Sequence, residues 1–489
     1  MITNLIFDWA IRTPDRTAVI YNGQPWSYRS FAQIISVARG YFARRGYVGP
    51  GYAVLAVPNL INFWVLSLAL RSLGVTTIGV PSAIAVRDLN LPDVRCVITS
   101  TSPRETYAGL GDLCTELGLP LLSVSLDGEA ALGLDAFDAP DSSGGHILMT
   151  SGTTGTHKMI LWSSTFDAVY LTRRVKMFGL NQDTVFCVFD FWPWTGAGYR
   201  WTASPWTVGG ATLIEQSSQP YNALLRPGIT HAILTPAVLG AILAAPTDAF
   251  PRSDAMQLAV TAGTISQTQI NQAKARITSR LFSSLASTET GVIAHTPLDT
   301  PEDRLWHRLL PDPLTEIVDE TDRPVSIGEI GRVRVSTAGG PTSYLNHEAA
   351  TRIFFKNDFF YTGDLAIMRS DGRMALQGRI SDVINVQGDK VSPAPIEDRL
   401  SELLGVSGVC LFSTPDNDGE EMIHVVIETP TSYNSERLIA ALNQEFGGGF
   451  RRACVHCITA LPRNEMGKVM RQATRSKVIG SQPHFASAD

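Results

Sequence analysis

The sequence predicts an α/β protein in which a largely parallel, helix-covered sheet is followed by a small barrel-like piece and then by a small α+β unit. Two observations support this prediction. In the first part of the chain, short apolar runs alternate with helical segments, which is typical of crossover units around a parallel sheet. From Pro313 onward, short strand signals are separated by turn signals, which is typical of antiparallel or barrel-like sheets.

The alternation is clear on both sides of a loose segment, Pro103–Gly145, in which Gly, Asp, Ser and Pro become frequent. Before this segment, strand signals lie at Thr17–Tyr21, Ala53–Val57, Thr76–Val80 and Arg95–Thr99, and helix signals lie at Tyr28–Arg45 and Leu60–Leu73. After Lys158, strand signals lie at Thr184–Phe189, Ala211–Ile214, Thr230–Leu234 and Leu258–Thr261, and helix signals start at Ala237 and cover Ser266–Ile277.

The C-terminal third supplies the remaining elements. The segments TEIVDE, GRVRVS and MALQGR read as the short strands of the barrel-like piece. A domain boundary is expected near Arg379, in the run GRISDVINVQGDKVSP. Beyond it, strand signals at Gly408–Ser413 and Met422–Glu428 and an amphipathic helix at Ser435–Phe446 are sufficient for a small domain of its own.

Composition and charge exclude several classes of protein. The 489 residues are 44% hydrophobic and 18% charged, and the formal net charge of −6 comes without any Lys/Arg block, so no nucleic-acid partner is expected. The most apolar window, Leu60–Leu70, is too short to span a bilayer, and the N-terminus lacks the pattern of a signal peptide. The six cysteines are scattered, and Cys454 and Cys457 have no second pair to complete a zinc site. We therefore expect a cytoplasmic protein with no membrane span.

The stretch with the most specific chemistry is His146–Lys158, HILMTSGTTGTHK. Its apolar start suits a short buried strand, and a run of hydroxyl residues and glycines follows. Glycines let a backbone approach a ligand closely, and successive N–H groups beside hydroxyls and an ammonium form an anion-binding concavity. A phosphate chain fits such a site. A flexible surface loop is the alternative, and an ordinary P-loop is disfavoured because Met159 follows Lys158.

Four stretches in a fixed order, TSGTTGTHK, STETG, YTGD followed by GRISD, and PRNEMGK, resemble the motifs of the acyl-adenylate-forming (AMP-binding) enzyme superfamily. The opening segment TPDRTAVIYNGQPWSYRSF matches as well, so the resemblance covers essentially the whole chain, and it is closest to the acyl-CoA synthetases. The resemblance implies a large N-terminal AMP-binding domain, residues 1–380, of two sheet-and-helix subdomains plus the barrel-like piece. It also implies a small mobile α+β lid domain, residues 381–489, that swings about a hinge at Ser381.

The resemblance implies a reaction in which a carboxylate attacks the α-phosphate of ATP to give acyl-AMP and pyrophosphate, after which coenzyme A takes the acyl group. Catalysis would rest on positioning and on neutralisation of charge. Lys468 would bridge the carboxylate and the α-phosphate, Thr288 would touch the α-phosphate, and Glu289 with Thr154 would hold Mg²⁺. The other implied nucleotide contacts are Thr150, Ser151, Gly152, Thr153, Gly155 and Lys158 at the phosphates, Gly263, Leu285, Ala286 and Ser287 at the adenine, Asp364 at the ribose, and Arg379 at the ribose or a phosphate.

The chemical class of the acid is inferred from the pocket residues that the resemblance implies. The implied pocket residues are Trp192, Trp194, Thr195, Gly196 and Ala286. Ala286 replaces the Trp of acetyl-activating relatives, and an enlarged pocket with aromatic walls favours an aromatic or medium-chain carboxylic acid. Trp201 and Trp206 are expected to be core residues instead.

Two other departures from the family pattern are His157, where Pro is usual, and Leu285, where many relatives place an aromatic ring against adenine.

Three alternatives remain open at the level of sequence. The acyl group could pass to the phosphopantetheine of a carrier protein or to an amine instead of to coenzyme A. Amino-acid activation is disfavoured because Asp190 lies too far from the following GGAT strand. A degenerate relative that only binds nucleotide is disfavoured because the full set of functional residues is present, namely Lys158, Glu289, Asp364, Arg379 and Lys468.

Overall fold

The computed structural model describes residues 2–100, 106–126, 144–150, 158–189, 191–217, 219–386, 389–406, 408–415, 421–446, 450, 453–463 and 469–479. Within these ranges the helices are α1 (Ile2–Arg12), α2 (Tyr28–Arg44), α3 (Leu60–Ser72), α4 (Ile84–Asp88), α5 (Leu110–Glu116), α6 (Ser164–Phe178), α7 (Gly196–Ala203), α8 (Pro236–Leu243), α9 (Gln267–Arg276), α10 (Glu348–Phe354), α11 (Pro393–Leu404), α12 (Ser435–Phe446) and α13 (Arg471–Ile479).

The first strands form two large sheets. They are β1 (Thr17–Tyr21), β2 (Gln24–Ser27), β3 (Tyr52–Leu55), β4 (Thr76–Gly79), β5 (Val94–Ser100), β6 (Leu121–Val124), β7 (His146–Thr150), β8 (Lys158–Trp162), β9 (Val185–Val188), β10 (Ala211–Ile214), β11 (His231–Leu234), β12 (Gln257–Thr261), β13 (Leu281–Ser287) and β14 (Gly291–Pro297).

The remaining strands form the smaller sheets. They are β15 (His307–Arg308), β16 (Thr315–Val318), β17 (Ile330–Ser336), β18 (Phe355–Lys356), β19 (Phe359–Met368), β20 (Arg373–Arg379), β21 (Ile384–Val386), β22 (Asp389–Val391), β23 (Val409–Pro415), β24 (Glu421–Glu428) and β25 (Ala453–Ile458).

The two large sheets are mainly parallel, which confirms the predicted pair of sheet-and-helix subdomains. One sheet has the order β6-β5-β3-β4-β7-β8, and the other has the order β14-β13-β12-β11-β9-β10-β1-β2. Antiparallel pairing is confined to the edge hairpins β7–β8, β1–β2 and β13–β14. Two of these hairpins, β7–β8 and β13–β14, carry sequence motifs of the candidate site.

Helix α3 is buried along almost its whole length in the core that joins the two sheets. Its Trp64 stacks on Tyr199 of α7, with ring centroids 5.4 Å apart. Near its end, Arg71 forms a buried ion pair of 2.6 Å with Asp167 of α6, and the Tyr199 hydroxyl donates to the same carboxylate oxygen at 2.8 Å. This network joins α3, α6 and α7, and it thereby fixes α7 relative to the sheet that contains β7.

The barrel-like piece is a mostly antiparallel sheet of order β15-β20-β19-β17-β16, with β18 paired to β19. The register of β19 and β20 places Asp364 directly opposite Arg379, so two predicted nucleotide contacts are cross-strand neighbours. Beyond this sheet lie the hairpin β21–β22 and the three-stranded sheet β23-β24-β25 with helices α11 to α13, which form the small α+β part. The predicted fold class is therefore confirmed.

Several elements were absent from the sequence-based prediction. Helix α5 and strand β6 lie inside the segment that the sequence suggested was loose, and α1, α11 and α13 were not predicted either. The two elements inside that segment are short, so their apolar patterns do not repeat often enough to be recognised. Cys454 and Cys457 lie in β25.

Candidate active site

The predicted phosphate-binding loop is carried by the β7–β8 hairpin. Thr150 and Lys158 are its last cross-strand pair, so the two ends of the loop lie side by side. Strand β7 is buried throughout, as its apolar sequence predicts. The predicted phosphate contacts between these two residues lie outside the described residues: Ser151, Gly152, Thr153, Thr154 and Gly155, together with His157.

The turn between β13 and β14 carries Thr288 and Glu289. The Ser287 Oγ accepts a hydrogen bond from the Thr290 amide at 3.1 Å, which closes the turn. Gly291 follows with φ +73°, and a Cβ there would lie 2.1 Å from Tyr170 Cε1, so only glycine fits this position. The Ser287 hydrogen bond and the glycine at 291 therefore set the position of the Glu289 backbone.

The Glu289 carboxylate is buried, at 8% exposure, and has a specific partner. The Tyr344 hydroxyl donates to Glu289 Oε1 at 2.7 Å. Burial and the neighbouring Glu289 charge raise the pKa of Tyr344, so the phenol stays protonated as a donor. Sequence reasoning missed Tyr344 because nothing local in the segment PTSYLNHE indicates a partner that lies far away along the chain.

Lys158 lies in the same cluster. Its Nζ is 4.2 Å from the ring centroid of Phe354 and 5.2 Å from that of Tyr344, so the ammonium is held over aromatic faces. Burial lowers the pKa of Lys158, whereas the charge of Glu289 raises it and that of Arg379 lowers it. The structure therefore brings Lys158, Glu289 and Arg379 within electrostatic reach of one another, although they are distant in sequence.

Asp364, the predicted ribose contact, and Arg379, predicted at the ribose or a phosphate, form an ion pair in which Arg379 Nε lies 3.2 Å from Asp364 Oδ1. Both side chains are partly exposed, at 23% and 33%. An exposed pair of this kind contributes little to stability, so both groups are available to a ligand at small cost. Their role in nucleotide binding remains a prediction.

The predicted adenine contacts lie at the ends of β12 and β13. Gly263 is exposed and follows Ala262, which has a φ of +66°, a backbone conformation that costs energy for a residue with a side chain. Ala286 is exposed and Ser287 is partly buried. Leu285 packs against the apolar core of the barrel-like sheet. The adenine contacts also remain predictions.

The predicted acyl-pocket residues surround the start of α7. Thr195 caps this helix, because its Oγ1 accepts from the Gly198 amide at 3.1 Å. Gly196 packs so closely on the β13–β14 turn that a Cβ would lie 3.1 Å from Thr288 Cα. Trp192 and Trp194 stack with ring centroids 4.8 Å apart, and Trp194 is only 3% exposed.

These contacts bring Thr195 and Gly196 beside Thr288, whereas much of Trp194 is packed into the core against Phe63. Trp201 and Trp206 are buried, as expected for core residues.

Arg200 was not predicted as a site residue, yet it forms hydrogen bonds with the turn between β13 and β14. Its Nη1 donates to the Ser287 carbonyl at 3.3 Å, and its Nη2 donates to the Thr288 carbonyl. An arginine inside a helix gives no sequence signal for this role, because most such arginines are exposed to solvent. Helix α7 is thus tied to the turn that carries Thr288 and Glu289.

The C-terminal motif is only partly described. Lys468 lies outside the described residues, but an isolated bridge between Arg463 and Val469 and a 2.8 Å hydrogen bond from the Met470 amide to the Pro462 carbonyl bring together the chain on either side of residues 464–468. Ser381, the predicted hinge, is exposed in the short 3₁₀ turn Ile380–Asp382, where its Oγ donates to the next carboxylate at 2.9 Å. The hinge remains a prediction.

Comparison with known proteins decides the family. The sequence profile described as AMP-binding enzyme matches residues 6–345. The chain belongs to the AMP-binding enzyme family. It is similar to a salicylyl-CoA synthase / salicylate adenylyltransferase from a Streptomyces species, with 25% identity over 97% of this chain and 93% of that protein.

Two solved structures share its fold. MatB from Rhodopseudomonas palustris with ATP bound has a TM-score of 0.82 at 20% identity, covering 98% of this chain and 99% of that one. The amide bond synthetase McbA from Marinactinospora thermotolerans has a TM-score of 0.79 at 19% identity, with the same coverage.

AMP-binding enzymes form acyl or aryl adenylates from ATP, so the chain is a ligase of this adenylate-forming class. None of the helices in the described ranges has the length and apolar composition needed to cross a membrane.

Proposed function

We propose that this protein is an acid–thiol ligase of the acyl-CoA synthetase type. It activates a carboxylic acid, aromatic or medium-chain, to acyl-AMP with release of pyrophosphate, and then transfers the acyl group to coenzyme A in the cytoplasm. The observation that carries the proposal is the cluster of Glu289, Tyr344 and Lys158 beside the Thr150–Lys158 hairpin. It combines a buried carboxylate and a cation at a loop whose composition suits phosphate.

The described residues fit a Mg²⁺–ATP substrate. Glu289 supplies one carboxylate, and Mg²⁺ characteristically binds one or two carboxylates together with phosphate oxygens and water. The metal, when bound, would neutralise phosphate charge. Lys158 would leave the rings of Phe354 and Tyr344 for a phosphate oxygen, because an ion pair with a phosphate is stronger than a contact with an aromatic face. Asp364 would accept hydrogen bonds from the ribose hydroxyls.

The remaining roles follow from position. Thr288 would contact the α-phosphate from a turn that Arg200 holds by two backbone carbonyls. Residues 381–489 would act as a lid that swings about Ser381 and brings Lys468 to the reacting carboxylate and α-phosphate. Lys468 would draw together two anions that otherwise repel each other.

The experiment is exchange of labelled pyrophosphate into ATP with a panel of benzoates, cinnamates and linear acids, followed by addition of coenzyme A. Exchange that depends on the acid, and consumption of the adenylate by coenzyme A, are the expected results. If no acid gives exchange, the proposal is wrong.

A second acceptor is supported by the relatives, since one solved structure of this fold is named an amide bond synthetase. Passing the acyl group to an amine, or to the phosphopantetheine of a carrier protein, is therefore the alternative second step. An adenylate that is stable to coenzyme A but is consumed by an amine or a carrier protein would favour it.

A further inference from the structure

Two arginines beside the candidate site are buried without a carboxylate partner. Arg174 of α6 is 3% exposed and Arg200 of α7 is 1% exposed, and neither forms an ion pair with any described residue. The contrast with Arg71 is direct, because that equally buried arginine of the same core has Asp167 at 2.6 Å. A buried cation without a counter-ion is costly and is uncommon in folded proteins.

Aromatic rings lie against both guanidinium groups. The Arg174 guanidinium lies 3.5 Å from the ring centroid of Trp201, and that of Arg200 lies 3.9 Å from Trp162 and 4.9 Å from Tyr170. Such contacts compensate for only part of the hydration free energy that a guanidinium group loses on burial. Burial lowers the pKa of both arginines, and the charge of Arg200 lowers that of Arg174 further, so the two cations repel each other; the charges of Glu289 and Asp167, neither of which is within ion-pair distance of Arg200, raise the pKa of Arg200 and offset part of the effect of burial.

Several donors of this cluster have no hydrogen-bond partner among the described residues. They are Nε and Nη2 of Arg174, Nε of Arg200 and the hydroxyl of Tyr170. Buried donors are nearly always satisfied in native structures, so a group of unsatisfied donors around two cations indicates an acceptor that binds from outside. The acceptor that suits two guanidinium groups is an anion.

The cluster lies next to the expected acyl pocket. Arg200 Nη1 is 3.4 Å from the position that a Cβ of Gly196 would occupy, and both Nη atoms of Arg200 bond the turn that carries Thr288. Residues 196 and 200 are one helical turn apart on α7, so they share a face. This face packs against the turn that carries Thr288, so the cluster adjoins the part of the pocket where the reacting carboxylate is expected.

We propose that Arg174 and Arg200 form an anion-binding site at the end of the acyl pocket, and that the acid carries a second anionic group, most simply a second carboxylate. This inference rests on the proposed function and narrows it, because it specifies the chemical class of the substrate. The second carboxylate would supply the direct ion-pair partner that neither guanidinium group has among the described residues.

The test compares acids in matched pairs that differ by one carboxylate: benzoate with phthalate and isophthalate, and butanoate with succinate and glutarate. Pyrophosphate exchange gives kcat/KM for each acid, and calorimetric titration gives binding without catalysis. The expected result is at least about a tenfold higher kcat/KM for one dicarboxylate than for its matched monoacid.

Variants identify the residues responsible. Arg174→Gln removes one cation and should abolish the preference for the dicarboxylate while monoacid exchange is retained. Arg173→Gln is the matched control, because Arg173 is the next residue on the same helix but forms a surface ion pair of 2.6 Å with Asp312. If Arg174→Gln lowers exchange with both classes of acid equally, the residue has a structural role only and the proposal is wrong.

The outcomes also separate this inference from the proposed function. Exchange with monoacids that equals or exceeds exchange with dicarboxylates overturns the anion site and leaves the ligase intact. Tighter calorimetric binding of a dicarboxylate that is lost in Arg174→Gln, with no exchange from any acid, supports the anion site and overturns the ligase. If the protein shows no exchange and no binding with any acid, both the anion site and the ligase are overturned.

Discussion

The hydrogen bond from Tyr344 to Glu289 leads to a specific prediction about magnesium. The bond is short, 2.7 Å, and both side chains are buried, so Glu289 is held in one orientation by a donor that cannot be replaced readily by bulk water. In Tyr344→Phe the ring that contacts Lys158 remains and only the hydroxyl is lost. The variant therefore isolates the effect on the carboxylate.

Hydrogen bonds to charged groups contribute roughly 1.5–3 kcal/mol, which is about one to two powers of ten in a binding constant. Part of this is lost through reorganisation, so we expect the Mg²⁺ concentration for half-maximal exchange to rise about tenfold in Tyr344→Phe. Because the ring that contacts Lys158 is kept, the KM for ATP at saturating Mg²⁺ should change little.

The assay is acid-dependent pyrophosphate exchange, titrated separately with Mg²⁺ and with ATP. Phe354→Leu is the matched control, since it removes the other ring near Lys158 and leaves the Tyr344 hydroxyl on Glu289. This control should alter the ATP titration more than the Mg²⁺ titration. An unchanged or lower Mg²⁺ midpoint in Tyr344→Phe would refute the reasoning, because the hydroxyl would then not position a metal-binding carboxylate.

The remaining predictions concern Lys158, Lys468 and Asp398. Lys158→Ala should raise the KM for ATP about tenfold or more without lowering Tm, because it removes a proposed phosphate ligand and not a core residue; an unchanged KM would contradict this. Lys468→Ala should abolish acyl-AMP formation while calorimetric ATP binding largely persists, and near-normal pyrophosphate exchange would exclude the lysine from catalysis. Burial raises the pKa of Asp398 to about 6, against the opposing charge of Arg304. The folded state then binds this proton more tightly than the unfolded state, so stability falls as pH rises from about 4 through about 6. Asp398→Asn should accordingly raise stability by about 3 kcal/mol above that window, since the pKa shift is about two units at about 1.4 kcal/mol each, and by much less at its lower end, as measured by denaturant unfolding at both pH values; an equal effect at both would contradict the assignment.

Much of the fold could be predicted because its signals are local. Strand Ala211–Ile214 and helix Ser435–Phe446 were predicted to the residue, since a short apolar run and a helical period are both visible within one window. Helix α5 and strand β6 were missed because a few residues in a Gly- and Pro-rich segment carry too little periodicity. Helix α11 was missed because its two early prolines, acceptable in a first turn, read in sequence as breakers.

The residues of the candidate site likewise include some that local motifs predict and others that only distant contacts reveal. Lys158, Glu289 and Arg379 were predicted because each belongs to a recognisable motif, and the fold brings these separate motifs together; their roles remain predictions. Tyr344 and Arg200 were not found, because their roles depend on contacts with residues 55 and 87 or 88 positions away. Such contacts are created by tertiary packing, and no local pattern encodes them.

We expect Glu289 to be part of a site that forms an acyl adenylate from ATP. The most direct measurement is acid-dependent exchange of labelled pyrophosphate into ATP by the wild-type protein and by Glu289→Gln, which keeps the shape of the side chain and a carbonyl acceptor for the Tyr344 hydroxyl. We expect exchange that requires an acid in the wild type and a loss of at least about a hundredfold in the variant, since a neutral amide is a poor ligand for Mg²⁺. Exchange at the wild-type rate in Glu289→Gln, or no exchange with any acid in the wild type, would contradict it.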